Sequence, residues 1–122
     1  MTASRIMIID DNHMNLELVS YMLDASGFTV KVESSAAPAL NSIPTFLPDL
    51  ILMDIQLPDM DGLELTRRLK VDRATSGIVV VAFTAYAMKG DEAKMRAAGC
   101  DGYISKPINV STFISQVRAC LP

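Results

Sequence analysis

The sequence predicts an open parallel α/β sheet, doubly wound, with helices on both faces. Three observations predict it. Short apolar runs alternate with segments of helical period along the whole chain, the order of repeated βα units. Runs such as Ile78-Val79-Val80-Val81-Ala82-Phe83 are apolar at every position, as a parallel strand covered on both faces must be. Polar residues then follow the runs: Asp10 and Asp11 after Ile6 to Ile9, Asp54 after Leu50 to Met53, Thr84 after Ile78 to Phe83, and Lys106 after Tyr103-Ile104-Ser105. In such a sheet the ligand crevice lies outside the carboxyl ends of the strands, so these five residues converge on one site.

Element by element, the first strand is Ile6 to Ile9, and a helix from His13 to Ser26 follows, its Leu18, Val19, Met22, Leu23 stripe expected in the core. The second strand, Thr29-Val30-Lys31-Val32-Glu33, alternates apolar and polar residues and belongs at a sheet edge. A short helix spans Ser35 to Ile43. After the third strand come a helix from Gly62 to Val71, the fourth strand, and a helix from Met88 to Ala98. The last helix, Asn109 to Cys120, is the cleanest: Val110, Phe113, Ile114, Val117 and Leu121 follow the spacing of one buried face, with Asn109 as cap. Right-handed crossovers then favour a single (βα)5 domain over residues 1–122 with the flavodoxin-like order 2-1-3-4-5. The switch point falls between strands 1 and 3, which carry Asp10, Asp11 and Asp54.

The chain has 122 residues, half of them hydrophobic, enough for one good core and not two. A net charge of -3 and eleven scattered basic residues favour neither nucleic acid nor an anionic membrane as partner, and leave a protein or a small ligand. Cys100 and Cys120 form no metal-ligand pattern with the single histidine. No signal-peptide core or membrane-spanning run is present, and a reduced cytoplasm is the expected location. The eight methionines read as core filler.

Three carboxylates at neighbouring strand ends call for a cation, because two unit charges about 4 Å apart repel by roughly 4 kcal/mol at an effective dielectric of ~20. All-oxygen ligands point to Mg²⁺ or Mn²⁺. With Lys106 and a divalent ion the site sums to zero charge and accepts a phosphoryl anion, with Thr84 as hydroxyl donor. The natural acceptor is a carboxylate, giving an acyl phosphate. Each residue also has a plainer reading. Asp10, Asp11 or Asn12 could cap the first helix, Asp54 could be a turn residue before Pro58, Thr84 a strand-end hydroxyl and Lys106 a solvated charge. Asp59 and Asp61 read as turn or cap residues beside Gly62, and His13 as an exposed first-turn residue. The joint placement at one sheet edge favours the site.

The segments Ile8-Ile9-Asp10-Asp11-Asn12, Pro48 to Pro58, Asp61-Gly62, Thr84-Ala85, Ala97-Ala98-Gly99 and Tyr103-Ile104-Ser105-Lys106-Pro107 together make the chain resemble a two-component response-regulator receiver domain over nearly its whole length. The stretch Thr84 to Asp91 is similar to receivers of hybrid sensor kinases and to single-domain cell-division regulators of the DivK type, which match the length. The resemblance implies that Asp54 accepts phosphoryl from a phosphohistidine on a sensor kinase or histidine phosphotransfer protein and that another protein reads the result, with no output domain attached. It implies that Asp11, Asp54 and the backbone carbonyl of Gln56 hold Mg²⁺, Asp10 acting largely through water. Thr84 and Lys106 would bind phosphoryl oxygens, Ala85 would leave the phosphate room, and Gln56 and Tyr86 would flank the path of attacking water. Tyr103 would turn inward as the switch aromatic, and helix 4, strand 5 and helix 5 would form the face that changes. Gly90 would loosen helix 4, and Lys106-Pro107 would be cis.

One departure from the family concerns the second helix, where Pro38, Pro44 and Pro48 follow one another. Pro38 is tolerable only in a first turn, and Pro44 should end or kink the helix. Two other functions are disfavoured. A flavin phosphate would be repelled by Asp10 and Asp11 in the absence of a metal, and an aspartate phosphatase wants an acid two positions beyond its nucleophile, where this chain has Gln56. Slow self-hydrolysis is the expectation in place of turnover on external esters. A purely structural interaction domain is the remaining alternative.

Overall fold

The computed structural model describes residues 3–85 and 89–121. Its strands are β1 (Arg5–Ile9), β2 (Thr29–Glu33), β3 (Leu50–Met53), β4 (Val79–Thr84) and β5 (Gly102–Ser105), alternating with helices α1 (His13–Ala25), α2 (Ala36–Phe46), α3 (Gly62–Val71), α4 (Lys89–Ala98) and α5 (Phe113–Cys120). All strand pairs are parallel, in the order β2-β1-β3-β4-β5 that the sequence predicts.

Because successive strand residues face opposite sides, the apolar runs build two cores at once. Ile6, Ile8, Leu50, Leu52, Val81 and Phe83 pack against Leu16, Val19 and Leu23 of α1 and Phe113 and Val117 of α5. Met7, Ile9, Ile51, Met53 and Val80 face α2 and α3, and Ala82 meets Met95 and Ala98 of α4. No described helix is long and apolar enough to cross a membrane.

Helix ends follow local chemistry. Asn12 caps α1 through Asn15 N, and Asp61 caps α3 through Leu63 N. Helices α1 and α4 end on Gly27 and Gly99, whose φ values of 93° and 105° let the amides of Phe28 and Cys100 turn back onto Leu23 and Met95. Lys70 ties the far end of the sheet together, donating to Ile78 O at 2.7 Å and to Asp101 Oδ2 at 2.8 Å.

Several expectations are corrected. Helix α2 does not stop at Ile43 but runs through Pro44 to Phe46 and closes on Leu47, whose φ of 54° lets its amide reach Ile43 O. Pro44 lies in the last turn, so only one internal hydrogen bond is forgone there. Helix α5 begins at Phe113, not Asn109. Asn109 caps the preceding turn through Ser111 N, and Val110 is 63 % exposed. Leu18 and Met14 are also exposed and outside the core, because the buried face of α1 passes through Leu16, Val19 and Leu23. Met88, the expected start of the fourth helix, lies outside the described residues, and Gly90 falls in the first turn of α4.

Candidate functional site

Residues Asp10 and Asp54 leave β1 and β3, which are hydrogen-bonded neighbours, one step past Ile9 and Met53. Asp10 is fully buried, Asp54 is 7 % exposed, and Asp11 is exposed. One oxygen from each of the three carboxylates falls within 4.8 Å of the others. Asp10 Oδ1 accepts from Asn12 N at 2.9 Å. Its Oδ2 is buried without a directed hydrogen bond, and its charge is balanced by the Lys106 ammonium 2.8 Å away. The same ammonium lies 3.4 Å from Asp54 Oδ2 and 5.0 Å above the Phe83 ring.

Burial pushes the Asp54 carboxyl above its ordinary range. The Gln56 amide, which donates to Asp54 Oδ1 at 3.0 Å, and Lys106 pull it down, while the Asp10 charge pushes it further up. Three acids with one ammonium leave surplus negative charge among clustered carboxylate oxygens. That donor set fits a hard divalent cation.

The loop after Asp54 is held tightly. Gln56 pairs with Asp61 in an antiparallel bridge, and Gly62 N donates to Ile55 O at 2.7 Å. Gly62 is required by this approach: a Cβ there would lie 2.1 Å from the Asp54 carbonyl oxygen. Gln56 also lines a cavity of about 290 Å³ with Ile55, Asp61, Leu63, Asp91 and Lys94.

Thr84 is buried at the end of β4, and its carbonyl accepts from Lys106 N at 2.8 Å, so the backbone ties the end of β4 to the residue that follows β5. Ala85 is exposed beside it, Tyr103 on β5 is 42 % exposed, and the Lys106–Pro107 peptide is cis. Tyr86 lies outside the described residues. His13 is exposed, as expected.

Two contributors were not found from sequence. Phe83, read only as core, floors Lys106. Asp59, read as a local turn or cap residue, caps a helix more than 20 residues away, its two oxygens accepting from Ala36 N at 2.8 Å and Ala37 N at 2.9 Å. Those amides hold its carboxyl below the ordinary range. The missing donor of Pro38 was the available signal.

Comparison with known proteins gives the arrangement a family. Residues 6–118 match the response regulator receiver domain. The polar-differentiation response regulator DivK of Brucella ovis is 47 % identical over 116 residues, covering 95 % of this chain and 94 % of that one. A CheY-like receiver domain protein of Methanospirillum hungatei superposes with a TM-score of 0.87 at 31 % identity, over 96 % of this chain and 92 % of that one. The receiver domain of the sensor histidine kinase PA1611 of Pseudomonas aeruginosa, whose structure has a magnesium ion coordinated in its active site cleft, gives a TM-score of 0.86 at 27 % identity over 97 % of both chains. The chain belongs to the response regulator receiver domains of two-component signalling, and it is a DivK-like phosphorylation-dependent switch.

Proposed function

We propose that Asp54 is the phosphoacceptor and that Asp10, Asp11, Asp54 and the Gln56 carbonyl hold the Mg²⁺ for which receiver domains use such an acidic pocket, with Mn²⁺ able to replace it. The observation that carries this reading is the Lys106 ammonium set between Asp10 and Asp54 at the mouth of three clustered carboxylates. When bound, the metal neutralises charge between acceptor carboxylate and incoming phosphoryl group. An Asp54 carboxylate oxygen attacks the phosphorus of a phosphohistidine on a kinase or phosphotransfer protein. The new P–O bond forms as the P–N bond breaks, and the imidazole leaves with the electron pair and takes up a proton. Lys106 meets the charge that develops on the phosphoryl oxygens, Thr84 donates its hydroxyl to another, and exposed Ala85 leaves room for them.

The switch follows from one negative charge becoming roughly two at Asp54. Thr84 is drawn toward the phosphoryl group, Tyr103 turns from its exposed position inward, and the face made by α4, β5 and α5 changes for a protein partner. Gln56, lining the cavity beside the loop, and Tyr86 govern how water reaches the acyl phosphate, so dephosphorylation is slow and intrinsic. Borohydride trapping tests the site: reduction of the acyl phosphate leaves homoserine at position 54 if the reading is right. Homoserine elsewhere, or none after labelling, overturns it.

A further inference from the structure

The first turn of α2 lacks its own cap. Ser35 stands at the N-cap position in extended backbone, yet its side chain makes no capping hydrogen bond. The sequence explains this. A capping hydroxyl bonds the second or third helical amide, and the third helical residue here is Pro38, which has none. Of the first three helical residues only Ala36 and Ala37 carry an N–H, and Asp59 accepts both.

Asp59 sits at the tip of the loop that leaves Asp54. The base of that loop is fixed by Gln56 N on Asp54 Oδ1 and by the Gln56–Asp61 bridge. Leu57 and Met60, on either side of the tip, pack against the core cluster that contains Ala36 and Ala39. The segment bearing the Gln56 carbonyl is thus fastened to the phosphorylation site at one end and to α2 at the other. Pro44 costs α2 an internal hydrogen bond and Pro38 removes a donor that its own N-cap could have used, so the helix start depends on this strut.

We infer that Asp59 is a positioning residue for the metal and phosphoryl site, holding the Gln56 loop through the amides of Ala36 and Ala37 and coupling occupancy of that site to the order of the α2 N-terminus. The inference rests on the proposed metal site. Coupling is reciprocal: whatever fixes the loop steadies the helix, and loss of the helix contact loosens the loop.

The experiment titrates Mg²⁺ alone into the parent chain, Asp59→Ala and Asp59→Asn, following amide resonances for affinity and hydrogen exchange at residues 36 and 37. In the parent, Mg²⁺ should slow exchange at those amides. In Asp59→Ala the affinity should fall about fivefold, at the low end of coupling between sites, and the Mg²⁺-dependent protection should vanish. Asp59→Asn, which keeps one acceptor oxygen, should fall between and serves if the alanine variant loses α2 altogether. Equal affinity and equal protection in a folded variant overturn the inference and leave the site intact. A parent chain that ignores Mg²⁺ overturns both.

Discussion

Lys106 Nζ lies nearer to Asp10, at 2.8 Å, than to the proposed acceptor Asp54, at 3.4 Å. Asp10 is fully buried and the lysine side chain only 17 % exposed, so in the metal-free chain the ammonium is a structural counterion first. Removing one partner of a buried pair leaves the other uncompensated. Lys106→Ala should therefore lower metal-free stability by about 3 kcal/mol, with millimolar Mg²⁺ restoring part of it by mass action. Urea denaturation with and without Mg²⁺ measures both, and a variant as stable as the parent would contradict the pairing.

The raised Asp54 carboxyl gives a pH dependence with a definite sign. Between the ordinary value of 3.8 and its higher folded value, the folded state keeps a proton that the unfolded state has lost. Stability is then lost as pH rises through that window. In chelator, Asp54→Asn should be more stable than the parent at about pH 7, the advantage shrinking toward about pH 4. Thermal melts at the two pH values decide it; a neutral-pH loss in the variant would mean that the Lys106 and Gln56 contacts outweigh burial.

Gly62 separates backbone crowding from side-chain chemistry. A Cβ would press on the Asp54 carbonyl and on Ile55 Cα at 2.8 Å, both backbone atoms with no flexible end to yield. Gly62→Ala should cost about 3 kcal/mol, at the upper end of overpacking, and displace the loop bearing Gln56. Denaturation midpoints check the first expectation and Mg²⁺ affinity the second.

Thr84 tests transmission apart from chemistry. Thr84→Ala should still accept phosphoryl at Asp54, while amide-resonance changes on phosphorylation, expected to reach residues 84 to 107 in the parent, should shrink to the loops around Asp10 and Asp54. The same extended changes in the variant would remove the hydroxyl from the switch.

Strand order and the placement of Asp10, Asp11, Asp54, Thr84 and Lys106 were legible because fully apolar runs and strand-end residues are local features that a parallel sheet brings to one edge. Helix limits were less so. The apolar spacing of Val110 with Phe113 continued the period of α5, but the segment forms a turn capped by Asn109 before the helix begins, and Val110 is left in solvent. Leu18 belonged to the same stripe as Val19, yet the α1 face that meets β1 is set by Leu16, Val19 and Leu23. Asp59 was invisible as a tertiary cap because its partners, Ala36 and Ala37, precede it by 23 and 22 residues and only the folded chain brings them together.

The most direct test of the central claim counts phosphoryl groups. Incubating the chain with acetyl phosphate and Mg²⁺ and weighing it intact should show one added phosphoryl group per chain, stable in acid and lost in base, and none in Asp54→Asn or in chelator. Labelling that persists in Asp54→Asn, or that proceeds without a divalent metal, would contradict the account.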